Sequence, residues 1–324
     1  MNLVLNTFGT SLQIDNGLFL VLNNEGKQII DPSKVRSISI SKGAKISSDA
    51  ALKAIENEID VMFTDRTGKP VGRLWSVKYG SISTIRRKQL DFITSKNAVS
   101  WVKEIVTQKI DNQMALLISM NTDEDSIKNK INSALTKLND YKKKIHLLEG
   151  TQVRDIAPSL RGWEGASSKA YFNILSLILP GKYQFEGRSQ HPAKDIFNCL
   201  LNYGYGMLYG KVEGSLIKAG IDPYTGIYHR DEYNRPVLAY DVIEVFRIWI
   251  DYVVFNLCMQ EVIDEDCYSV KDGIYWLENL GRRIVIQSVN DYLDEIINMN
   301  GKERSRTVHI DLYAQDLAQK FLKW

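Results

Sequence analysis

His229 sits in a loop punctuated by glycine and proline, IDPYTGIYHR, and the helical run that follows carries Asp241 and Glu244. Two carboxylates three residues apart share one face of a helix. With the imidazole they form a donor set that suits a hard or borderline divalent cation. A further partner has to come from elsewhere in the chain, and Glu164 in RGWEGASSKAYF is the best candidate. Each residue also has a plainer reading. Glu164 alone is an acid at a helix start, where the dipole favours it. His229 alone is a loop histidine. Asp241 and Glu244 are harder to set aside, because Val237, Leu238, Val242, Ile243, Val245 and Phe246 leave their helix little solvated face. A buried carboxylate must be paired or bind a cation. The pairing alternative is Arg247, three residues beyond Glu244.

A second polar cluster lies in GRSQHPAKDIFNCLLNYGYGMLYG, with Arg188, Lys194, Asn198, Asn202, Tyr203 and Tyr205. Cations beside amides and aromatic rings suit a phosphate backbone and unstacked bases. The same side chains also suit packing between helices. Lys142-Lys143-Lys144 ends a helical run, where the dipole favours cations, and that reading outweighs a DNA contact. His146, His191 and His309 form no His-x-x-x-His pair. No GxxxxGK[ST], no GxGxxG spacing and no GxSxG occurs, which argues against P-loop, Rossmann and nucleophile-elbow sites.

Something has to position these residues, and the chain's 324 residues predict two domains. Residues 1–76 read as short strands separated by turn signals, among them Asp15-Asn16-Gly17, Asn23 to Gly26, Ser41-Lys42-Gly43 and Asp65 to Pro70. One helix, Ser48–Asn57, interrupts them. Residues 77–92 read as a connector carrying Arg86, Arg87 and Lys88. Residues 93–324 read as all-helical, including a continuous helix from about Val237 to Val262 and a helical region over Val270–Asn298. The predicted class is α+β: a small β-sandwich-like domain followed by a larger all-α domain that carries the metal site.

Net charge is +2 with 44% hydrophobic and 25% charged residues, which neither requires nor excludes a nucleic-acid partner. Cys199, Cys258 and Cys267 form no CxxC pair and read as buried thiols in a reducing compartment. No signal peptide is seen. The apolar run Val242–Met259 is interrupted by Glu244, Arg247, Asp251 and Asn256, so it does not read as a membrane span. A cytoplasmic protein without membrane contact is expected.

Four pieces in order resemble the CRISPR-associated adaptation integrases, which insert spacers into CRISPR arrays. They are WEGxxxxxYF with Glu164, the run from Arg188 through Asp195 and Asn198 to Tyr205, GxDPYxGxxH ending at His229, and LxxDxxExFR with Asp241, Glu244, Phe246 and Arg247. The resemblance implies a divalent cation, Mg²⁺ or Mn²⁺, on Glu164, His229 and Glu244, with Asp241 on the same face as a further catalytic residue and the choice between Asp241 and Glu244 as inner-sphere ligand open. DNA contacts are expected from Arg188, Asn198, Tyr205 and Arg247. It implies a homodimer through the β domain, a small ferredoxin-like partner protein bridging two dimers, and binding of duplex DNA with single-stranded 3′ ends together with CRISPR repeat DNA. The chemistry would be phosphoryl transfer. Attack by a DNA 3′-OH gives strand transfer, and attack by water gives nicking. A ligating His229 must be neutral, so activity is expected to fall at acid pH. Competing readings are a metal-dependent nuclease of repair or a mobile element, and a DNA-binding scaffold in which Asp241 and Glu244 are structural.

Overall fold

The structure, a computed structural model, describes residues 1–24, 26–65, 68–74, 83–120, 124–190, 192–229 and 235–323. Glu25, Arg66, Thr67, the composition shift across residues 75–82, His191 and residues 230–234 of the His229 loop lie outside these. The chain divides into two compact units, Met1–Ser81 and Ile82–Trp324.

The first unit contains β1 (Asn2–Leu5), β2 (Ser11–Asp15), β3 (Leu18–Asn23), β4 (Gly26–Ile30), β5 (Ser37–Ser41), β6 (Lys45–Ile46), α1 (Ser48–Glu56), β7 (Asp60–Thr64) and β8 (Pro70–Arg73). One sheet has the order β1-β5-β7-β8 and the other β4-β3-β2-β6. Asn16 and Gly17, with φ of 49° and 78°, make the tight turn that sets the β2–β3 register. Alternate residues such as Leu3, Leu5, Leu12, Phe19, Ile38, Ile40 and Val61 join Ala50 and Ala54 of α1 in one apolar core. Ser47 caps α1 by accepting from the Ala50 amide at 3.2 Å.

The second unit begins with α2 (Ser83–Ile93), α3 (Lys96–Ser119), α4 (Asp125–His146) and α5 (Val153–Ile178). Helices α3, α4 and α5 pack against one another. Then come α6 (Ile196–Lys218), α7 (Val237–Ile243) and α8 (Arg247–Met259). Helix α6 is buried along nearly its whole length, as its lack of a polar face requires. It approaches α8 closely at Gly204, where a Cβ would lie 2.5 Å from Ile250 Cγ2.

The expected helix over Val270–Asn298 is not continuous. The chain forms a hairpin of β9 (Tyr268–Lys271) and β10 (Ile274–Leu277), then α9 (Asn279–Asp294), a second hairpin of β11 (Ile296–Met299) and β12 (Lys302–Ser305), and finally α10 (Arg306–Lys323). Asp272-Gly273 and Asn300-Gly301 all take positive φ and turn the two hairpins. The second unit is therefore helical with two small hairpins, rather than all-α.

The predicted continuous helix after the His229 loop is also broken. Between α7 and α8 the ladder tightens to three-residue bonds: the Val245, Phe246 and Trp249 amides donate to the Val242, Ile243 and Phe246 carbonyls. Asn112 of α3 donates to the Val245 carbonyl at 3.0 Å, which satisfies a group that a straight helix would have used internally. Among the described residues no helix is long and apolar enough to cross a membrane. All three cysteines are free and buried.

Candidate metal centre

The break at Glu244 decides the site, because it sends Asp241 and Glu244 to different tasks. Asp241 is 1% exposed and faces the loop before it. Its Oδ2 accepts from the Ile227 and Tyr228 amides at 2.8 and 2.9 Å. Its Oδ1 accepts from the His229 amide at 2.9 Å and from His229 Nδ1 at 2.6 Å. An ionised carboxylate is an acceptor only, so Nδ1 carries the hydrogen, and in the neutral ring Nε2 is then the nitrogen with a lone pair for a ligand. Burial works against charge on His229. The Asp241 hydrogen bond and the Asp241, Glu244 and Glu164 charges outweigh it and hold the imidazole pKa above its ordinary value.

The loop is fixed from its other side as well. Gln89 of α2 is buried, donates to the Asp222 and Thr225 carbonyls at 2.8 and 3.2 Å and accepts from the Asp222 amide at 3.0 Å. Asp222 caps its own turn through the Tyr224 amide and the Thr225 hydroxyl. Gly226 leaves no room for a side chain, since a Cβ would lie 2.6 Å from the His229 carbonyl oxygen. Arg161 of α5 donates to the Tyr228 carbonyl at 3.0 Å.

Glu164 and Glu244 meet at one cation, Lys109 of α3. Its Nζ lies 2.6 Å from Glu164 Oε1 and 2.7 Å from Glu244 Oε2. The second contact, at 2.7 Å, is an ion pair between a buried carboxylate and a nearly buried ammonium. The other oxygens are held by neighbours. Tyr228 donates its hydroxyl to Glu164 Oε2 at 2.8 Å, and Arg247 Nε donates to Glu244 Oε1 at 2.8 Å. The pairing of Glu244 with Arg247, the alternative reading of the sequence, is therefore present and engages one oxygen of the two. Burial alone would raise the Glu244 pKa, but the Arg247 and Lys109 charges pull it down to about 2. Burial likewise opposes charge on Lys109, and Glu244 and Glu164 outweigh it and hold its pKa above the usual lysine value.

Glu164, His229, Glu244 and Lys109 line a cleft of about 290 Å³, together with Arg188, Arg247, Tyr205, Gln113 and Asp251. Arg188 and Arg247 both lie over the Tyr205 ring, at 5.6 and 4.6 Å from its centroid. Asp251 of α8 is buried and accepts from the Tyr171 hydroxyl at 3.0 Å and from the Tyr205 hydroxyl.

The expected DNA contacts therefore divide. Arg188 and Arg247 line the cleft. Tyr205 lines it with its ring, but its hydroxyl is turned inward and spent on Asp251. Asn198 is a correction. It is 0% exposed, accepts from Arg188, and donates to the Gly187 carbonyl and Asp195 Oδ2 at 2.9 and 2.7 Å. A wholly buried amide with its bonds filled anchors Arg188 and has nothing left for a nucleic acid. Lys142 pairs with Asp111, Lys143 lies 3.7 Å from Asp140, and Lys144 sits 4.4 Å from the Trp163 ring centroid. His309 is buried against the Ile297 carbonyl.

Three residues of the site escaped the sequence. Lys109, Tyr228 and Asp251 carry no local motif. Among the described residues no three histidine, cysteine or acidic side chains stand close enough to grip an ion as they are. The donors nonetheless suit one in kind. Two carboxylate oxygens already converge on a single cation, beside an imidazole that in its neutral form presents the Nε2 lone pair.

A family model described as CRISPR associated protein Cas1 matches residues 3–291. A CRISPR-associated endonuclease Cas1 from Archaeoglobus fulgidus is 33% identical over 98% of this chain and 95% of its own length. The chain belongs to the Cas1 family. Its fold is similar to that of a casposase bound to integration product, with a TM-score of 0.79 at 20% identity over 99% of this chain and 90% of the other. A chain of a Cas6-RT-Cas1–Cas2 complex matches with a TM-score of 0.79 at 22% identity, covering 100% of this chain and 35% of that longer one.

Proposed function

We propose that this chain is a divalent-metal-dependent DNA endonuclease and integrase of CRISPR adaptation, which joins a DNA 3′-OH to a phosphodiester of the repeat array by transesterification. The observation that carries the reading is the convergence of Glu164 and Glu244 on one cation beside His229, in a cleft walled by Arg188 and Arg247. Glu164, His229 and Glu244 would hold Mg²⁺ or Mn²⁺. When bound, the cation would supply a lowered hydroxyl pKa and offset charge building on the phosphate.

The chain's other residues have roles that follow from their contacts. Asp241 holds the His229 Nδ1–H and so aims Nε2. Tyr228 fixes the rotation of Glu164. Arg188 and Arg247, stacked on Tyr205, offer charge to a phosphate backbone but no base recognition. Asp251 keeps that ring in place. The family membership and the endonuclease name of the Archaeoglobus relative support the activity, and the integration product held by the casposase supports strand joining. The assembly of a similar chain with Cas2 in the Cas6-RT-Cas1–Cas2 complex supports a small partner protein. A homodimer through the first unit, bound to duplex DNA with single-stranded 3′ ends, completes the proposal.

The test is a branched DNA with a free 3′-OH flap, incubated with Mn²⁺ or with EDTA. Metal-dependent joining of the flap that disappears in Glu164→Gln is the expected result. Cleavage without joining would leave a plain nuclease, and wild-type joining by the variant would overturn the site.

A further inference from the structure

Metal binding at Glu164 and Glu244 gives Lys109 a conflict to resolve. Its ammonium stands on the two oxygens a cation would take, and its side chain is 12% exposed. Metal–oxygen bonds to a hard divalent ion run about 2.0–2.6 Å. Both cations cannot share those oxygens at such range, because two positive charges a few ångströms apart in a buried site repel strongly. Retreat to solvent is not the only exit. One turn along the same helix, Gln113 lines the same cleft, is 4% exposed, and has an Oε1 with no hydrogen-bond partner among the described residues. A buried amide oxygen left unmet is unfavourable and is uncommon in folded proteins. Residues four apart on a helix are neighbours, so side-chain rotation alone can carry the ammonium from the carboxylates to that oxygen.

We propose that Lys109 is a built-in counter-ion that holds Glu164 and Glu244 together until a divalent cation displaces it, and that Gln113 receives the displaced ammonium. Lys109 then sets the threshold for metal loading, and after loading it adds a cation to the cleft wall. The inference rests on the reading of Glu164 and Glu244 as metal ligands.

The test is Mn²⁺ titration by calorimetry on the full chain, with thermal melting in EDTA and in Mn²⁺. The set is wild type, Glu164→Gln, Lys109→Met, Gln113→Leu, and the double variant of the last two. Lys109→Met is expected to bind Mn²⁺ on the order of tenfold more tightly, opposite in sign to the usual loss when a neighbour of a ligand is removed. It should melt lower than wild type in EDTA and gain more from Mn²⁺. Gln113→Leu should weaken binding several-fold in the wild-type background and leave Lys109→Met unchanged. Should Lys109→Met fail to fold in EDTA, Lys109→Gln serves for the same measurement. Equal or weaker binding by the lysine variant, or an equal effect of Gln113→Leu in both backgrounds, overturns the proposal while the metal reading stands. No binding by wild type or by any variant overturns both.

Discussion

Glu244 and Asp251 are two buried carboxylates on one stretch of chain, and they are treated in opposite ways. Glu244 is met by cations, Lys109 on one oxygen and Arg247 on the other, and its pKa is held low. Asp251 is met by two phenols. Burial raises its pKa, against the hydrogen bonds of Tyr205 and Tyr171 and the nearby charges of Arg247 and Arg188. The difference separates an exchangeable carboxylate from a fixed one. A charge-to-charge contact with a flexible lysine can be traded for another cation. A carboxylate closed by two hydroxyls from α5 and α6 is part of the frame.

Glu244→Gln puts that division under the greatest load. It should lower metal-dependent strand transfer by roughly a thousandfold, the scale on which charge-stabilising groups act, and it should also lower the melting temperature, because Lys109 and Arg247 lose a buried counter-charge. Asp251→Ala should act first on stability. Leaving two buried hydroxyls without their acceptor and two neighbouring guanidinium groups without a nearby negative charge should lower unfolding free energy by about 3 kcal/mol, measured by denaturant titration. If Asp251→Ala instead leaves stability intact and removes activity alone, the division into exchangeable and fixed carboxylates fails.

Asp241→Asn should be intermediate. It keeps the shape of the loop but weakens the grip on the imidazole, and Mn²⁺ affinity should fall about 10- to 100-fold by calorimetry. The sign of its pH effect follows from the same hydrogen bond. A protonated imidazole cannot ligate, and His229 has a raised pKa, so wild-type binding should begin to fail on acidification above about pH 6.5. In Asp241→Asn that loss should begin at lower pH. The smallest change is Tyr228→Phe, which removes one hydrogen bond to Glu164. A decrease of about 1 kcal/mol in binding or transition-state stabilisation is expected from joining rates and Mn²⁺ titration.

The order strands-then-helices could be read from turn dipeptides and apolar periodicity, and Glu164, His229 and Glu244 stood out because unlike donors sat in short, ordered motifs. What could not be read came from tertiary contacts. The helix break at Glu244 has no proline or glycine to announce it, and a donor from Asn112, far away in sequence, helps to stabilise it. Lys109 meets Glu164 across 55 residues, with no spacing to betray it. Asn198 and Arg247 both looked like polar groups on helices, and only burial separates the anchor from the cleft wall. The two hairpins are different, since Asp272-Gly273 and Asn300-Gly301 were legible turn signals hidden by the apolar run around them.

Among the described residues, the hydrogen bonds of Gln89 to the His229 loop all go to main-chain atoms, the Asp222 amide and the Asp222 and Thr225 carbonyls. Such a grip is blind to side chains. The three Gln89 hydrogen bonds therefore do not depend on which side chains the turn carries. A clamp of this kind fixes the path of the backbone, and through it the direction of the imidazole, by its own three bonds.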